Sequence, residues 1–219
     1  MPPDPQSVLS SRVSVRRHLA RSKGVVQPSQ PFLAATFEEE AERFNACIFP
    51  TQQQVEALVA FLLGRANVTR LVSIGCGEGW VEGLLEQVAG PRVEIECVDL
   101  LMVPPVAAPR HCSKDISRIR QYQIFDIDSV SRHVALLFCF GRRVPLQAYI
   151  EAYPEITTVI IIGDSGGVAE PGPDALAGEP GWNESFRIAV RGRTSSHCVG
   201  WQKETRNVEE SVSDEKHTI

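Results

Sequence analysis

Two hydrophobic periods alternate along the middle of the chain. From Thr51 onward, Val55, Leu58, Val59, Leu62 and Leu63 fall on one side of a helix, and Gly64 is the expected stop. Thr51 and Gln54 have the spacing of a capping box. Residues 70–74 read as a strand and 80–88 as a helix, with Val81, Leu84, Leu85 and Val88 at helical spacing. Residues 93–98 form the next expected strand, ended by Asp99, and Pro104, Pro105 and Pro109 make 101–109 a loop. A weaker strand is expected near 121–125, a continuous apolar strand at 134–140, a helix at 144–153 and a buried strand at 157–162. After a Pro/Gly loop at 170–182, segments 186–190 and 197–202 read as a hairpin turning around 192–196. Strands and helices in this alternation imply an α/β, doubly wound, mostly parallel sheet. About seven strands are expected, with 70–74 central between 93–98 and 134–140, and an antiparallel hairpin at the end.

The ends carry a different pattern. Residues 1–36 are basic and rich in Ser and Pro, and read as a flexible arm with a short helix near 7–20. A helix is expected at 37–49, opened by three Glu, with Phe37, Ala41 and Phe44 on one face. The folded domain is expected over 37–203, and 204–219 reads as a disordered polar tail.

Charge sharpens this division. Arg12, Arg16, Arg17, Arg21 and Lys23 against Asp4 give residues 1–37 a net +4, which leaves −9 on residues 38–219 of a chain of net charge −5. So acidic a body argues against a nucleic-acid partner. The basic, Ser-rich arm has the composition of a mitochondrial transit peptide, the alternative to a cytoplasmic location. No apolar run approaches the ~18 residues of a membrane span. The six cysteines contain no C-x-x-C pair, so no metal site is expected, and they read as reduced thiols.

The segment Ser73-Ile74-Gly75-Cys76-Gly77-Glu78-Gly79 lies between an expected strand and an expected helix. Glycines there let the chain turn sharply and let a ligand approach the backbone, while the following helix aims free amides at the same place. Asp99 follows Gly77 by 22 residues, at the end of the next strand, where a carboxylate can accept both hydroxyls of a ribose. A dinucleotide fingerprint needs G-x-G-x-x-G, and Trp80 stands after a G-x-G-x-G here. A branched side chain at Gly77 should block a ligand while sparing the fold, unless φ is positive there.

This spacing resembles motif I of the class I S-adenosylmethionine-dependent methyltransferases, and the terminal hairpin is similar to the antiparallel end of their Rossmann-like sheet. The resemblance spans 51–203. It implies S-adenosylmethionine as cofactor, with Ser73, Gly75, Cys76, Gly77, Gly79, Asp99 and Leu100 at its site. It also implies an acid for the adenine amine, for which Asp126 is preferred over Asp128. Ser73 stands where many members carry an acid two residues before the first glycine, which leaves backbone carbonyls to meet the methionine ammonium. At the end of the fourth strand the family places its substrate-facing motif. Phe138-Cys139-Phe140-Gly141-Arg142-Arg143 lacks the Asp/Asn-Pro-Pro-aromatic pattern of enzymes that methylate amino groups of bases or Gln. Arg142 and Arg143 are candidates for clamping an anionic substrate, and His111, His133 and His197 are candidate bases.

The implied function is methyl transfer to a small molecule or protein; the alternative is a non-catalytic sensor or scaffold that keeps the cofactor pocket. Gly163-Asp164-Ser165-Gly166-Gly167 spells a serine-protease nucleophile motif. The helical segments do not suit the two β-barrels that mechanism needs, so this stretch reads as the loop after the fifth strand.

Overall fold

The computed structural model describes residues 48, 50–77, 79–100, 116–119, 123–140, 144–166, 169–191 and 195–204. The arm, the 37–49 helix apart from Ile48, the 101–109 loop and nearly all of the tail lie outside them.

Helix α1 (Gln52–Ala60) starts where expected. Thr51 Oγ1 accepts the Gln54 amide at 3.3 Å, and Gln54 Oε1 accepts the Thr51 amide at 2.9 Å, so both halves of the capping box form. Gly64 does not stop it. The helix widens into a π turn, Phe61–Arg65, and ends beyond that glycine. The apolar stripe continues through Phe61 and Leu62, and their burial outweighs the glycine signal.

The order then runs β1 (Arg70–Ile74), α2 (Trp80–Ala89), β2 (Glu94–Leu100), β3 (Ser117–Ile119), β4 (Val134–Cys139), α3 (Leu146–Ala152), β5 (Thr158–Asp164), β6 (Trp182–Val190) and β7 (Ser196–Lys203). They build a seven-stranded sheet of order β3-β2-β1-β4-β5-β7-β6. The pairings from β3 to β5 are parallel, and β7 is antiparallel to both β5 and β6. The strand at 70–74 is central, between β2 and β4, as its apolar neighbours implied.

One strand moves. The strand expected near 121–125 lies earlier, at Ser117–Ile119, and residues 123–125 are not strand. That later stretch is held instead by helix α3. The Phe125 amide donates to the Tyr149 hydroxyl at 3.0 Å, the Tyr153 hydroxyl donates to the Phe125 carbonyl at 2.7 Å, and the Ile127 amide donates to the same hydroxyl at 3.0 Å. Its apolar side chains therefore pack by way of tyrosines, with no strand ladder.

Both faces of the sheet are covered. Helices α1 and α2 pack on the face that carries Leu71, Cys97, Leu137, Ile160 and Cys198. Helix α3 and the segments around Ile127 and Leu176 cover Val72, Leu136, Phe138, Ile161 and Trp201. Burial on two sides explains why β4 and β5 are apolar without alternation. Cys76, Cys97, Cys139 and Cys198 form no disulfide with one another, and burial pushes the Cys198 thiol upward. No helix among the described residues is long and apolar enough to cross a membrane.

Candidate functional site

The glycine loop leaves the carboxyl end of β1 beside the carboxyl end of β2. The Gly75 and Cys76 amides both donate to the Val98 carbonyl, at 2.8 and 3.1 Å, which pins the loop next to Asp99. Gly75, Gly77 and Gly79 have φ of 81°, 58° and 75°, so the loop is built from left-handed residues that a side chain would strain. Gly77 is exposed, and a Cβ there would meet nothing within 4 Å. A valine at Gly77 is thus strained by its own backbone, so the positive-φ exception applies, and loss of binding in that variant would not isolate ligand contact. Gly79 caps α2, accepting from the Gly83 amide at 2.9 Å.

Period two along the strands puts Ser73, Cys97 and Asp99 on the α2 face of the sheet. Asp99 is half-buried at the carboxyl edge, within β2, which runs on to Leu100. Cys76 is buried against the core, and its thiol donates to the Gly77 carbonyl of the loop at 3.7 Å. Ser73 is 0 % exposed and does not face the cleft; its hydroxyl donates to a carboxylate that the sequence reading passed over, Glu82.

Glu82 lies in the first turn of α2 and is 1 % exposed. Burial pushes its carboxyl up to about 7, against the opposing pull of the Ser73 hydrogen bond and its own backbone amide. The nearby carboxylates Asp99 and Glu86 push it further in the same direction. A glutamate in a first helical turn has an ordinary surface explanation, so nothing in the helix pattern marked it. The available signal was Ser73, an uncharged residue in an acid's place, with a glutamate one helical turn beyond the loop.

The other candidates separate from this centre. Asp126 is exposed, between the two residues tethered to Tyr149 and Tyr153. The Asp128 carbonyl accepts from Arg70, at the amino end of β1. Asp128 is thus placed by its carbonyl at the amino end of the sheet, opposite the glycine loop, because this segment leads back into the start of β4. His133 is on that amino edge too, its Nδ1 2.9 Å from the Asn67 carbonyl. His197 stands on β7 opposite Gly163, with a buried Nδ1 that has no hydrogen-bond partner among the described residues. Arg142, Arg143 and His111 lie outside the described residues. In the protease-like stretch, Asp164 closes β5 of the open sheet, is buried and accepts the Ala169 amide at 3.0 Å.

A loop at the carboxyl edge, flanked by β2 on one side and β4 on the other, occupies the switch point of a doubly wound sheet. The chain has the class I methyltransferase fold. No family model and no curated protein matches it. Solved structures of this fold do. The methyltransferase domain of bacterial CtHen1-C aligns at 17% identity and TM-score 0.46, over 70% of this chain and 98% of that one. A putative RNA methyltransferase from Pyrococcus horikoshii aligns at 14% and 0.41, over 69% and 81%. A putative tRNA (m1A22) methyltransferase from Streptococcus pneumoniae, solved with S-adenosyl-L-methionine, aligns at 12% and 0.42, over 72% and 75%.

Two of these solved structures are named for RNA, so the expectation that charge argues against a nucleic-acid partner does not stand. The physical reason is that net charge sums over the whole surface. It does not fix the local field where a substrate docks.

Proposed function

We propose that the protein is an S-adenosylmethionine-dependent methyltransferase whose cofactor lies across the glycine loop 75–79 and Asp99. The observation that carries this is the pinning of Gly75 and Cys76 to the Val98 carbonyl, which sets the loop and the acid side by side at the switch point. The residues suit the cofactor's shape and charge. Three glycines of the loop carry no Cβ, Gly77 opens to free space, Asp99 can accept ribose hydroxyls, and two carboxylates complement a positively charged ligand. Leu100, the last residue of β2, is assigned to the same edge.

When bound, the cofactor supplies an electrophilic methyl group on a sulfonium. The chain's own task is then to hold an acceptor in line with that methyl group and to exclude water, which needs few catalytic side chains. Arg142 and Arg143, after β4, are assigned to the acceptor side. The acceptor is a small molecule, a protein or an RNA.

The test is transfer of a labelled methyl group from S-adenosylmethionine to fractionated cell extract by the purified protein. Label should appear in one of the RNA, protein or small-molecule fractions and fall, at subsaturating cofactor, with the Asp99→Ala variant. Tight cofactor binding with no transfer to any fraction would contradict an enzyme and favour a sensor.

A further inference from the structure

The buried Ser73–Glu82 pair has no role in the fold's packing that an apolar pair would not fill better. Burying a carboxylate costs stability, and one hydrogen bond from a hydroxyl offsets only part of that cost. Its position is more informative. Ser73 lies two residues before Gly75 on β1, Glu82 three residues after Gly79 on α2, so the pair brackets the glycine loop from below. Asp99 comes to the same face from β2. Negative groups thus reach the base of the loop from two elements, α2 and β2, with the neutral Ser73 hydroxyl coming from β1.

We propose that Glu82, held by Ser73, is the charge discriminator of the cofactor site: it favours the cationic S-adenosylmethionine over its neutral demethylated product, S-adenosylhomocysteine. The inference rests on the methyltransferase reading. Glu82 touches no ligand; it is a positioning residue that acts through Ser73 and through the field across the loop. The two ligands share every part that the loop and Asp99 can recognise. They differ by one methyl group and one unit of charge, so only a charged group in a poorly solvated place can separate them strongly.

The mechanism has a proton signature. In the free protein the Glu82 carboxyl titrates near neutrality, because burial raises it and Asp99 and Glu86 add to that rise. From β1 only the neutral Ser73 hydroxyl faces it, and on α1 the only carboxylate, Glu56, is exposed. A sulfonium bound nearby favours the carboxylate and expels the proton to solvent, whereas a thioether does not. Affinity for S-adenosylmethionine must therefore rise with pH through the Glu82 titration, by linkage.

The experiment is calorimetry of both ligands on the full chain from about pH 5.5 to about pH 8, in buffers of different ionisation enthalpy. The wild type should gain roughly tenfold in S-adenosylmethionine affinity for each unit by which the ligand lowers the carboxyl's pKa, with proton release. The homocysteine product should show a nearly flat profile. Glu82→Gln keeps a partner for Ser73 and should flatten the first profile, erasing the preference; titration of the ligand's own amine is common to wild type and variant and cancels. Ser73→Ala removes the bond that favours the carboxylate and should move the midpoint to higher pH, which keeps the test alive if Glu82→Gln does not fold. A pH profile unchanged in Glu82→Gln, or equal losses for both ligands, would overturn the proposal and leave the cofactor site standing. Failure of the wild type to bind either ligand would overturn both.

Discussion

At the scale of single residues, the cost of Glu82 is measurable apart from any ligand. Burial pushes its folded carboxyl up to about 7, against about 4.5 in the unfolded chain. The raised value means that the folded state holds a proton the unfolded state has released between those two points. The contribution to stability is therefore whole below about pH 4.5 and is lost as pH rises toward and through about 7. Glu82→Gln, which has no proton to lose, should raise the unfolding free energy at alkaline pH by up to about 3 kcal/mol and change little under acid conditions. Urea unfolding at the two extremes checks this. A variant less stable than wild type at alkaline pH would make Glu82 a structural residue. The placement of Gly75, Gly77, Gly79 and Asp99 side by side could be read from the chain, because glycine spacing and a distal acid are local signals. Glu82 could not, because inward direction depends on how α2 lies on the sheet.

Among the elements, the joint between α1 and the terminal hairpin is tightly packed. The π turn carries the Phe61 ring over Gly200 of β7, where it stacks on Phe186 of β6 at 4.9 Å between centroids. A Cβ on Gly200 would sit 2.8 Å from Phe61 Cε1 and 3.0 Å from the Phe186 Cβ. Gly200→Ala should cost about 1–3 kcal/mol by overpacking. The same change should cost clearly less in a Phe61→Ala background, since the ring it strikes is gone. Additive losses in denaturant unfolding would contradict this contact. The cap of α1 was legible in Thr51 and Gln54, but its end was not. Gly64 carries a stop signal that the buried Phe61 and Leu62 override through contacts more than a hundred residues away. The strand near 121–125 fails for a related reason: Ile124 and Phe125 are apolar, and tyrosines from α3 satisfy that stretch in place of a neighbouring strand.

For the whole molecule, alternating strand and helix patterns were enough to place β1 between β2 and β4 and an antiparallel hairpin at the end, because right-handed crossovers leave few other arrangements. Whole-chain charge misled, since it says nothing of local fields. The central claim is that the loop 75–79 and Asp99 form a cofactor site, and calorimetry on wild type and Asp99→Ala tests it most directly. Bonds from ribose hydroxyls to a carboxylate are each worth ~1.5–3 kcal/mol when the partner is lost. The wild type should bind both S-adenosylmethionine and S-adenosylhomocysteine, and Asp99→Ala should weaken both by roughly tenfold to a thousandfold. Equal affinities in wild type and Asp99→Ala, or no binding of either ligand to the wild type at millimolar concentration, would contradict the account.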